Sequence, residues 1–253
     1  DDAVEYVNSS TVVIVVDANR PVLTECPELL GSCKTIVVFD HHRQSVDSIK
    51  GAVLSYVDPY ASSASEMITE MIQYVEDDVK IKAYEADALY AGINIDTDGF
   101  HNKSGPRTFE AAAFLRRHGA DVTRVRKMLR NDMAEYIAVA RAVSRATVYN
   151  DAFAITVFNG TGLSSPTIGG AKAANQLLDI SGIKASFVIT SYNDINYISA
   201  RSIDEVNVQL IMEKLGGGGH MTIAGAQLHN CTIDQAVQTI KDTLDTMIEE
   251  GDI

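Results

Sequence analysis

Apolar runs in the first half of the chain alternate with segments of helical pattern. Residues 11–16 and 35–39 are short, continuous runs of mainly aliphatic side chains, and an aspartate follows each run directly. Runs of this length without polar alternation predict strands that are buried on both faces, as in parallel sheets. The interval between them has about the length of a crossover connection, so the sequence predicts a parallel α/β layer.

Helical patterns follow these two strands. Residues 62–75 place methionine and isoleucine side chains at helical spacing, and residues 84–95 have a second helical pattern. A third helix is predicted over residues 107–118, where Pro106 stands at the first turn. The Ala-rich residues 133–147 predict a long helix that bridges two domains.

The pattern changes after Asn150, where the predicted strands become paired. Residues 185–192 and 197–202 flank an Asn-Asp-Ile-Asn segment and predict a β-hairpin. Four glycines then precede His220, and residues 232–250 predict an amphipathic helix. A smaller α+β unit is therefore expected in this half.

We accordingly predict an α/β protein of two domains. Residues 1–132 form a domain with a mostly parallel sheet, residues 133–150 a linker helix, and residues 151–253 the smaller α+β domain.

Composition and charge narrow the classes of function. The 253 residues are 46% hydrophobic, the formal net charge is -13, and the pI is about 4.8. Such a surface disfavours long nucleic acid, which needs a basic face, although bound divalent cations can reverse the local sign for a small anion. Three cysteines are too few for a disulfide framework and favour a reducing cytosol. No apolar run is long enough to cross a membrane, so no direct membrane contact is expected from this segment.

The residues that carry chemistry are Asp17, the triplet Asp40, His41 and His42, and Asp96. Asp17 and Asp40 stand where the two predicted strands end, and ligands of open α/β sheets bind beyond the carboxyl ends of their strands. Carboxylates with one or two imidazoles suit Mn²⁺ or Mg²⁺, and two such ions can activate a water and neutralise a phosphoryl group.

Structural alternatives exist for each of these residues. An aspartate after a strand is often a helix cap or a turn residue, which leaves Asp17 open on this ground alone. Adjacent histidines at a strand end are poor structural filler, so the Asp40 triplet favours a functional role. Asp98 is as good a ligand by chemistry as Asp96.

Four segments in order resemble the motifs of the DHH phosphoesterase superfamily. They are Val15-Val16-Asp17, Asp40-His41-His42, residues 91–97 and the late Gly-Gly-Gly-Gly-His segment, which is similar to the DHH-associated domain (DHHA1). The superfamily includes manganese-dependent pyrophosphatases, RecJ-type exonucleases, oligoribonucleases and cyclic-dinucleotide phosphodiesterases. Further segments resemble the GdpP/YybT type of cyclic di-AMP phosphodiesterase in particular: residues 17–21, 58–63, 105–109 and 198–202.

The resemblance implies a role for each residue of the first domain. Asp17 would bridge two metal ions, and His41 and Asp96 would complete the shell of the second ion. His42 would contact the reacting phosphate, and Asp40 would orient His41 or His42 as a hydrogen-bond acceptor. The implied cofactors are two divalent cations, Mn²⁺ first, with Mg²⁺ or another ion as the alternative.

In the associated domain, the resemblance implies that Arg201 holds a phosphate and supports catalysis. The loop of Gly217, Gly218, Gly219 and His220 would lie against the nucleotide, since glycines allow a close approach of the backbone.

In the first domain, Arg107 stands at a helix start and is a further candidate for binding phosphate. The alternative is that its side chain is simply solvated.

One family motif, a histidine followed by two aspartates, has no counterpart here. It supplies most ligands of the first metal, so we expect the chain to be a fragment and its activity to be weak unless that motif lies upstream. Full-length members of the type carry membrane helices, which predicts a cytoplasmic module of a membrane-anchored protein, and a homodimer is common among relatives.

The sequence thus predicts a phosphodiesterase that opens cyclic di-AMP to linear pApA, with a small nucleotide as its substrate. One alternative is an oligoribonuclease, a pApA phosphoesterase or a bisphosphate phosphatase of the same superfamily. The other is a non-catalytic nucleotide-binding sensor.

Overall fold

The computed structural model describes residues 2–44, 46–75 and 80–253. The chain divides into two compact units, Asp1–Arg130 and Asn131–Ile253. The predicted α/β class is confirmed, with a parallel sheet in the first unit and a mixed sheet in the second. The predicted domain limits at residues 132 and 150 stay a prediction.

Within its described residues, the first unit is built on three parallel strands in the order β1-β2-β3. The strands are β1 (Val12–Val16), β2 (Thr35–Asp40) and β3 (Leu54–Val57). Its helices are α1 (Asp2–Glu5), α2 (Glu28–Ser32), α3 (Ala64–Ile72), α4 (Ala83–Asp96), α5 (Pro106–Arg117) and α6 (Val122–Met128).

One face of this sheet differs from the prediction of strands buried on both sides. Val15 and Val38 are buried in a hydrophobic cluster, but Val12, Ile14 and Val16 on the opposite face of β1 are 52–60% exposed. Among the described residues, other side chains therefore bury only one face of β1. An apolar run predicts a strand, but it does not tell whether both of its faces are covered.

The second unit is a six-stranded sheet with helices on both faces. Its strands run in the order β4-β5-β6-β7-β9-β8, and only β5 and β6 among these neighbours are parallel. Its elements are α7 (Met133–Ser144), β4 (Thr147–Tyr149), β5 (Phe153–Phe158), α8 (Pro166–Leu177), β6 (Ala185–Tyr192), β7 (Ile195–Ser202), α9 (Val208–Lys214), β8 (Gly218–Gly219), β9 (Ile223–His229) and α10 (Ile233–Glu250).

Side chains along β5 point alternately into two hydrophobic cores, one on each face of the sheet. Phe153 and Ile155 pack with residues of α9 and α10, whereas Ala154 and Phe158 pack with α7 and α8. The predicted hairpin is formed by β6 and β7, and its two-residue turn places Asn193 and Asp194 at positive φ, as type I′ turns require.

The segment predicted as a linker helix differs in its contacts. Helix α7 ends at Ser144, and β4 then joins the edge of the second sheet. Val139 and Ala142 of α7 are buried in the cluster around Phe158, and the Thr156 hydroxyl donates to the Ala142 carbonyl at 2.7 Å. Through these contacts, α7 and β4 are part of the second unit.

Candidate metal centre

Parallel pairing brings the two strand-end aspartates together. Val16 pairs with Phe39, so Asp17 and Asp40 follow at neighbouring strand ends, and the Asp17 amide donates to the Phe39 carbonyl at 2.9 Å. Asp17 adopts φ 61°, a left-handed conformation that aspartate tolerates better than most residues. The chain therefore turns sharply at the point where the candidate site begins.

Two carboxylates converge on the ring of His41. Its Nε2 lies 3.2 Å from Asp17 Oδ1 and 3.7 Å from Asp96 Oδ2, and its side chain is buried. Asp96 is the last residue of α4, so the three groups come from two strand ends and one helix end. Ligand oxygens around a six-coordinate ion with bonds of about 2.1 Å lie about 3 Å apart. The spacing and the donor set of one imidazole and two carboxylates both fit a divalent cation such as Mn²⁺ or Mg²⁺.

His42 belongs to the same group but has a different hydrogen bond. Its Nδ1 lies 2.8 Å from Asp40 Oδ1, and that oxygen also accepts the backbone amide of His41 at 2.9 Å. The sequence left open which imidazole Asp40 orients, and in the structure the ring contact goes to His42. Donor atoms of Asp17, His41 and His42 all lie within 4.8 Å of one another, so His42 can also reach a cation held there.

Burial and charge set the protonation of this group. The Asp40 hydrogen bond raises the pKa of His42, against the opposing effect of burial. Burial would raise the pKa of Asp40, but its hydrogen bonds and its attraction to His42 outweigh this and lower it. Burial also raises the pKa of Asp96, and the negative charge of Asp17 adds to that shift. A cation between these groups would relieve the repulsion between the two carboxylates.

Two buried atoms at the centre lack a hydrogen-bond partner among the described residues. They are Nδ1 of His41 and Oδ2 of Asp40. Buried polar atoms are normally satisfied by protein or by ordered water, and metal-binding imidazoles commonly donate their second N–H. A further polar group is therefore expected beside them.

The loop after Asp96 is held in an uncommon conformation. Asp98 and Phe100 both have positive φ, which is rare for a bulky side chain such as phenylalanine. The Phe100 ring packs against Tyr90 and Phe109, with ring centroids 5.6 and 5.8 Å away. These contacts fix the loop and with it the end of α4 that carries Asp96.

Arg107 lies in an ion-pair cluster. Its Nε and Nη2 donate to the two carboxylate oxygens of Glu70 at 2.7 and 2.6 Å, and its Nη1 donates to Asp58 at 2.7 Å. Buried Glu66 accepts from Ser62 at 2.6 Å and lies 4.0 Å from Arg107. The predicted contact of Arg107 with substrate stays a prediction, and the structure gives this guanidinium three contacts within its own unit.

Sequence reasoning missed the carboxylates of this cluster. Glu66 and Glu70 are spaced one turn apart on α3, which was a usable signal that they share a face. Asp58 follows β3 as Asp17 follows β1, and its amide donates to the Asp40 carbonyl at 3.0 Å. The strand-end rule that found Asp17 also applies to Asp58.

In the second unit, Arg201 lies on β7 and contacts the neighbouring helix. Its Nε donates to Asn175 of α8 at 2.9 Å, and Nη1 donates to the Ala200 carbonyl at 2.9 Å. A groove of about 620 Å³ nearby is lined by Tyr197, Ser199 and the glycine-rich loop. The phosphate-binding role of Arg201 stays a prediction.

The glycines of this loop are explained in part by the protein's own backbone. A Cβ at Gly217 would meet the Gly225 carbonyl oxygen, and one at Gly219 would lie 2.5 Å from the Ala224 Cα. Gly218 faces open space instead, so only this glycine of the three has no such constraint. The exposed His220 donates its amide to the Ile223 carbonyl at 2.7 Å, which closes the turn. Contact of these residues with a nucleotide stays a prediction.

Comparison with known proteins adds two family models to this geometry. The model of the DHH family, N-terminal domain, matches residues 1–93, and the model of the DHHA1 domain matches residues 155–250. The chain belongs to the DHH family. The predicted resemblance to the DHH phosphoesterases, with a DHH-associated domain, is thereby confirmed.

Curated relatives of this DHH protein include two named phosphodiesterases. The chain is 42% identical over 252 residues to the cyclic-di-AMP phosphodiesterase GdpP of Geobacillus thermodenitrificans, covering 99% of this chain and 38% of that protein. It is 40% identical over 247 residues to the cyclic-di-AMP phosphodiesterase PdeA of Listeria monocytogenes, covering 96% and 37%. The chain thus spans well under half the length of these relatives.

A solved structure with the same fold is an exopolyphosphatase-related protein from Bacteroides fragilis. It matches with a TM-score of 0.83 at 20% identity, covering 97% of this chain and 74% of that one. The match supports the fold of this DHH protein and, at such low identity, nothing further.

The family bears on cofactors in general terms. DHH phosphoesterases are metal-dependent, and Asp17, His41 and His42 form a candidate cluster for a cation in this chain. The number and the identity of the ions stay predictions. Within the described residues, none of the helices is both long and apolar enough to span a bilayer.

Proposed function

We propose that this DHH protein hydrolyses cyclic di-AMP to linear pApA at a site for two divalent cations. The observation that carries the proposal is the convergence of Asp17 and Asp96 on Nε2 of His41, at 3.2 and 3.7 Å. The names of relatives that are about 40% identical over nearly the whole chain support the substrate.

Each residue of the centre has a task that its contacts support. Asp17, His41 and Asp96 would hold one ion, and the half-exposed Asp17 carboxylate would extend to a second. Bound divalent cations at such a site neutralise the phosphoryl oxygens and lower the pKa of water. His42 is half exposed and its pKa is raised by Asp40, so it would donate a hydrogen bond to a phosphate oxygen.

Asp40 would act as a positioning residue. It is fully buried, and its Oδ1 accepts from both Nδ1 of His42 and the amide of His41. The contact with Nδ1 orients the ring of His42, so that Nε2 is the nitrogen directed away from Asp40. Charged acceptors of this kind hold an imidazole in one orientation.

The acidity of the chain agrees with a small substrate rather than a polymer. With a net charge of -13, the surface repels a long polyanion, whereas a dinucleotide needs only a local positive field. Cations and His42 would provide that field. Because the chain spans 38% of the GdpP relative, activity of the isolated chain is itself part of the proposal.

The test is product analysis with a matched pair of variants. Cyclic di-AMP is incubated with the chain and Mn²⁺, and products are separated by chromatography and identified by mass. We expect pApA, its loss in EDTA, and its loss in His41→Ala but not in His118→Ala, which removes an exposed histidine at the end of α5. Formation of pApA that persists in EDTA or in His41→Ala would refute the metal site.

Metal binding gives a second measurement that does not depend on turnover. Electron paramagnetic resonance of free Mn²⁺ should show binding to the unaltered chain and to His118→Ala, and at least tenfold weaker binding to His41→Ala. Mn²⁺ binding without pApA would overturn the activity of this chain while retaining the cation site.

Two further proposals concern the surroundings of the protein. We propose a cytoplasmic module of a membrane-anchored protein, which fractionation of cells that express the whole gene would test. We also propose a homodimer, for which light scattering of the purified chain should give twice the mass of 27.4 kDa. A monomer mass at micromolar concentration would refute it.

A further inference from the structure

A second groove in the Asn131–Ile253 unit lies away from the glycine-rich loop. It has a volume of about 820 Å³, and its lining includes residues of β5 and α10. An adjoining groove of about 560 Å³ shares Arg145, Val157, Asn159 and Thr161 with it. Both volumes fall in the range of small-molecule sites. The shared lining makes the two grooves one continuous surface, which we call the β5-end groove.

The larger part of this groove lies on the opposite face of the sheet from the glycine-rich one, whereas its smaller part is lined by α7, which packs on the other face. The larger part of the β5-end groove is lined by Val157, Ile233 and Val237, on the side that α10 covers. Tyr197 and Ser199, which line the glycine-rich groove, alternate on β7 with Ile198 and Ala200, which pack toward α9 and α10. The β5-end groove and the glycine-rich groove share no lining residue, so they are separate sites.

Cations gather at this groove although the chain is strongly acidic. Arg145 and Lys241 line its larger part, and Arg141 and Arg145 line its smaller part. Over residues 2–44, 46–75 and 80–253, none of these three side chains forms an ion pair, and neither groove is lined by an Asp or a Glu. Two other lysines of the unit, Lys172 and Lys214, pair with carboxylates at 2.8 and 2.7 Å, whereas the exposed Lys184 forms no ion pair with a described residue.

Lys241 is placed by an aromatic ring rather than by a carboxylate. Its Nζ lies 5.3 Å from the centroid of the Tyr149 ring, and the Tyr149 hydroxyl contacts Asp245 at 2.6 Å. Asp245 also accepts from Asn150 at 3.1 Å through its other oxygen, so both of its carboxylate oxygens are hydrogen-bonded. Within the described part of the chain, Nζ of Lys241 has no hydrogen-bond or ion-pair partner, so its N–H groups can donate to a ligand.

The remaining lining offers both apolar and polar contacts. Val157 and Ile233 are each 36% exposed, unusually open for side chains between a sheet and a helix. Hydroxyl and amide groups surround them: Thr147, Asn159, Thr161 and Ser191. The loop of Asn159 and Thr161 follows the carboxyl end of β5, which pairs in parallel with β6. Ligands of α/β sheets bind at such strand ends.

We propose that the β5-end groove binds a nucleotide, with its base on the apolar floor and its phosphates on Arg141, Arg145 and Lys241. The guanidinium fork matches phosphate oxygens in pairs, which favours phosphate over a single carboxylate. A flat ring fits a floor made of Val157, Ile233 and Val237. The binding needs no divalent cation from the candidate metal centre, and it goes beyond the proposed hydrolysis.

Calorimetric titration in EDTA tests the proposal while the metal centre is inactive. The probes are ATP, pyrophosphate without a base, and adenosine without phosphate. We expect ATP to bind more tightly than pyrophosphate, and adenosine to bind weakest. The double variant Arg145→Gln/Lys241→Gln should weaken ATP binding at least tenfold, and Arg141→Gln/Arg145→Gln should do the same.

Matched charge changes elsewhere serve as controls. Lys184→Gln removes an exposed cation of the same unit, and Arg201→Gln tests the alternative that ATP binds to the predicted phosphate site of Arg201 near the glycine-rich groove. Both should alter ATP affinity less than twofold, and thermal melting should show that all variants fold.

Three results would overturn the proposal. They are no ATP binding in EDTA, equal weakening by Lys184→Gln, or loss of binding in Arg201→Gln alone. The outcome of this titration does not depend on whether the chain hydrolyses cyclic di-AMP, because the titration contains no metal ion. Tighter binding of pyrophosphate than of ATP would refute the assignment of the base to the apolar floor.

Discussion

Replacing Arg107 tests whether its ion pairs stabilise the first unit. The guanidinium joins α5 to Glu70 of α3 and to Asp58 at the end of β3 through three short contacts. In Arg107→Gln these contacts are lost, and Glu66, Glu70 and Asp58 face one another without a cation. We expect the first unit to be less stable as a result.

The expected loss of stability follows from the exposure of the partners. A hydrogen bond to a charged group contributes about 1.5–3 kcal/mol when well buried, and exposed pairs contribute about 0.2–1 kcal/mol. Arg107 is 41% exposed, while Glu70 and Asp58 are 26% and 16% exposed, so the three contacts lie between these limits. A total of about 3 kcal/mol is expected, which corresponds to roughly 10 °C in the melting temperature of a unit of this size.

Urea and thermal unfolding of the whole chain measure this loss, with Arg117→Gln as control. Arg117 is on the same helix, and in the described part of the chain it has no ion pair. The double variant Arg107→Gln/Glu70→Gln should recover part of the stability, because it removes one of the unpaired charges. Equal destabilisation by Arg107→Gln and Arg117→Gln would refute the structural role.

Acid provides a further check on the same cluster. The hydrogen bond from Arg107 lowers the pKa of Asp58, against a smaller opposing effect of burial. A depressed carboxyl pKa stabilises the fold above the unfolded pKa of about 3.9, and this stability is lost as the pH falls through the folded pKa. The difference in stability between the unaltered chain and Arg107→Gln should therefore narrow below about pH 4. A constant difference down to pH 2 would contradict this reasoning.

Three other predictions use paired or conservative substitutions. Gly219→Ala should cost about 3 kcal/mol in urea unfolding, because φ is 148° and the new Cβ would meet β9, whereas Gly218→Ala should cost less than about 0.5 kcal/mol. Val38→Ala should lower the free energy of unfolding by about 2 kcal/mol, because Val38 is 1% exposed, whereas Val16→Ala should lower it by about 0.5 kcal/mol, because Val16 is 52% exposed. Equal losses in the two variants would show that both faces of the sheet are covered. Asp40→Asn should lower kcat for cyclic di-AMP about 10- to 100-fold with a small change in KM, and an unchanged kcat would contradict its orienting role.

The sequence was sufficient for the features that depend on local order. The strands before Asp17 and Asp40 were predicted from apolar runs, and parallel pairing then requires their ends to be neighbours. The hairpin of β6 and β7 was predicted from its turn residues for the same reason. Each of these inferences needs only the period of the pattern and the geometry of one connection.

Features that depend on distant partners could not be predicted in this way. Asp58 and Glu70 lie 49 and 37 positions from Arg107, and nothing in the local pattern of α5 indicates that its arginine meets them. The loop glycines are similar, since Gly217 and Gly219 are required by strand β9 several residues later. A residue type indicates which chemistry it can perform, but its partners decide which chemistry it does perform.

The metal centre shows how these two kinds of information combine. Asp17 and His41 are neighbours through the strands, but Asp96 joins them only because α4 ends at that place. Without a cation, burial raises the pKa of Asp96 against the opposing attraction to His41, and the repulsion from Asp17 adds to the shift. A divalent cation would replace the repulsion between the carboxylates by attraction. It would bind more tightly as a result, because each carboxylate is already placed as a ligand. The same two carboxylates that destabilise the cation-free centre are therefore the reason to expect a metal ion there.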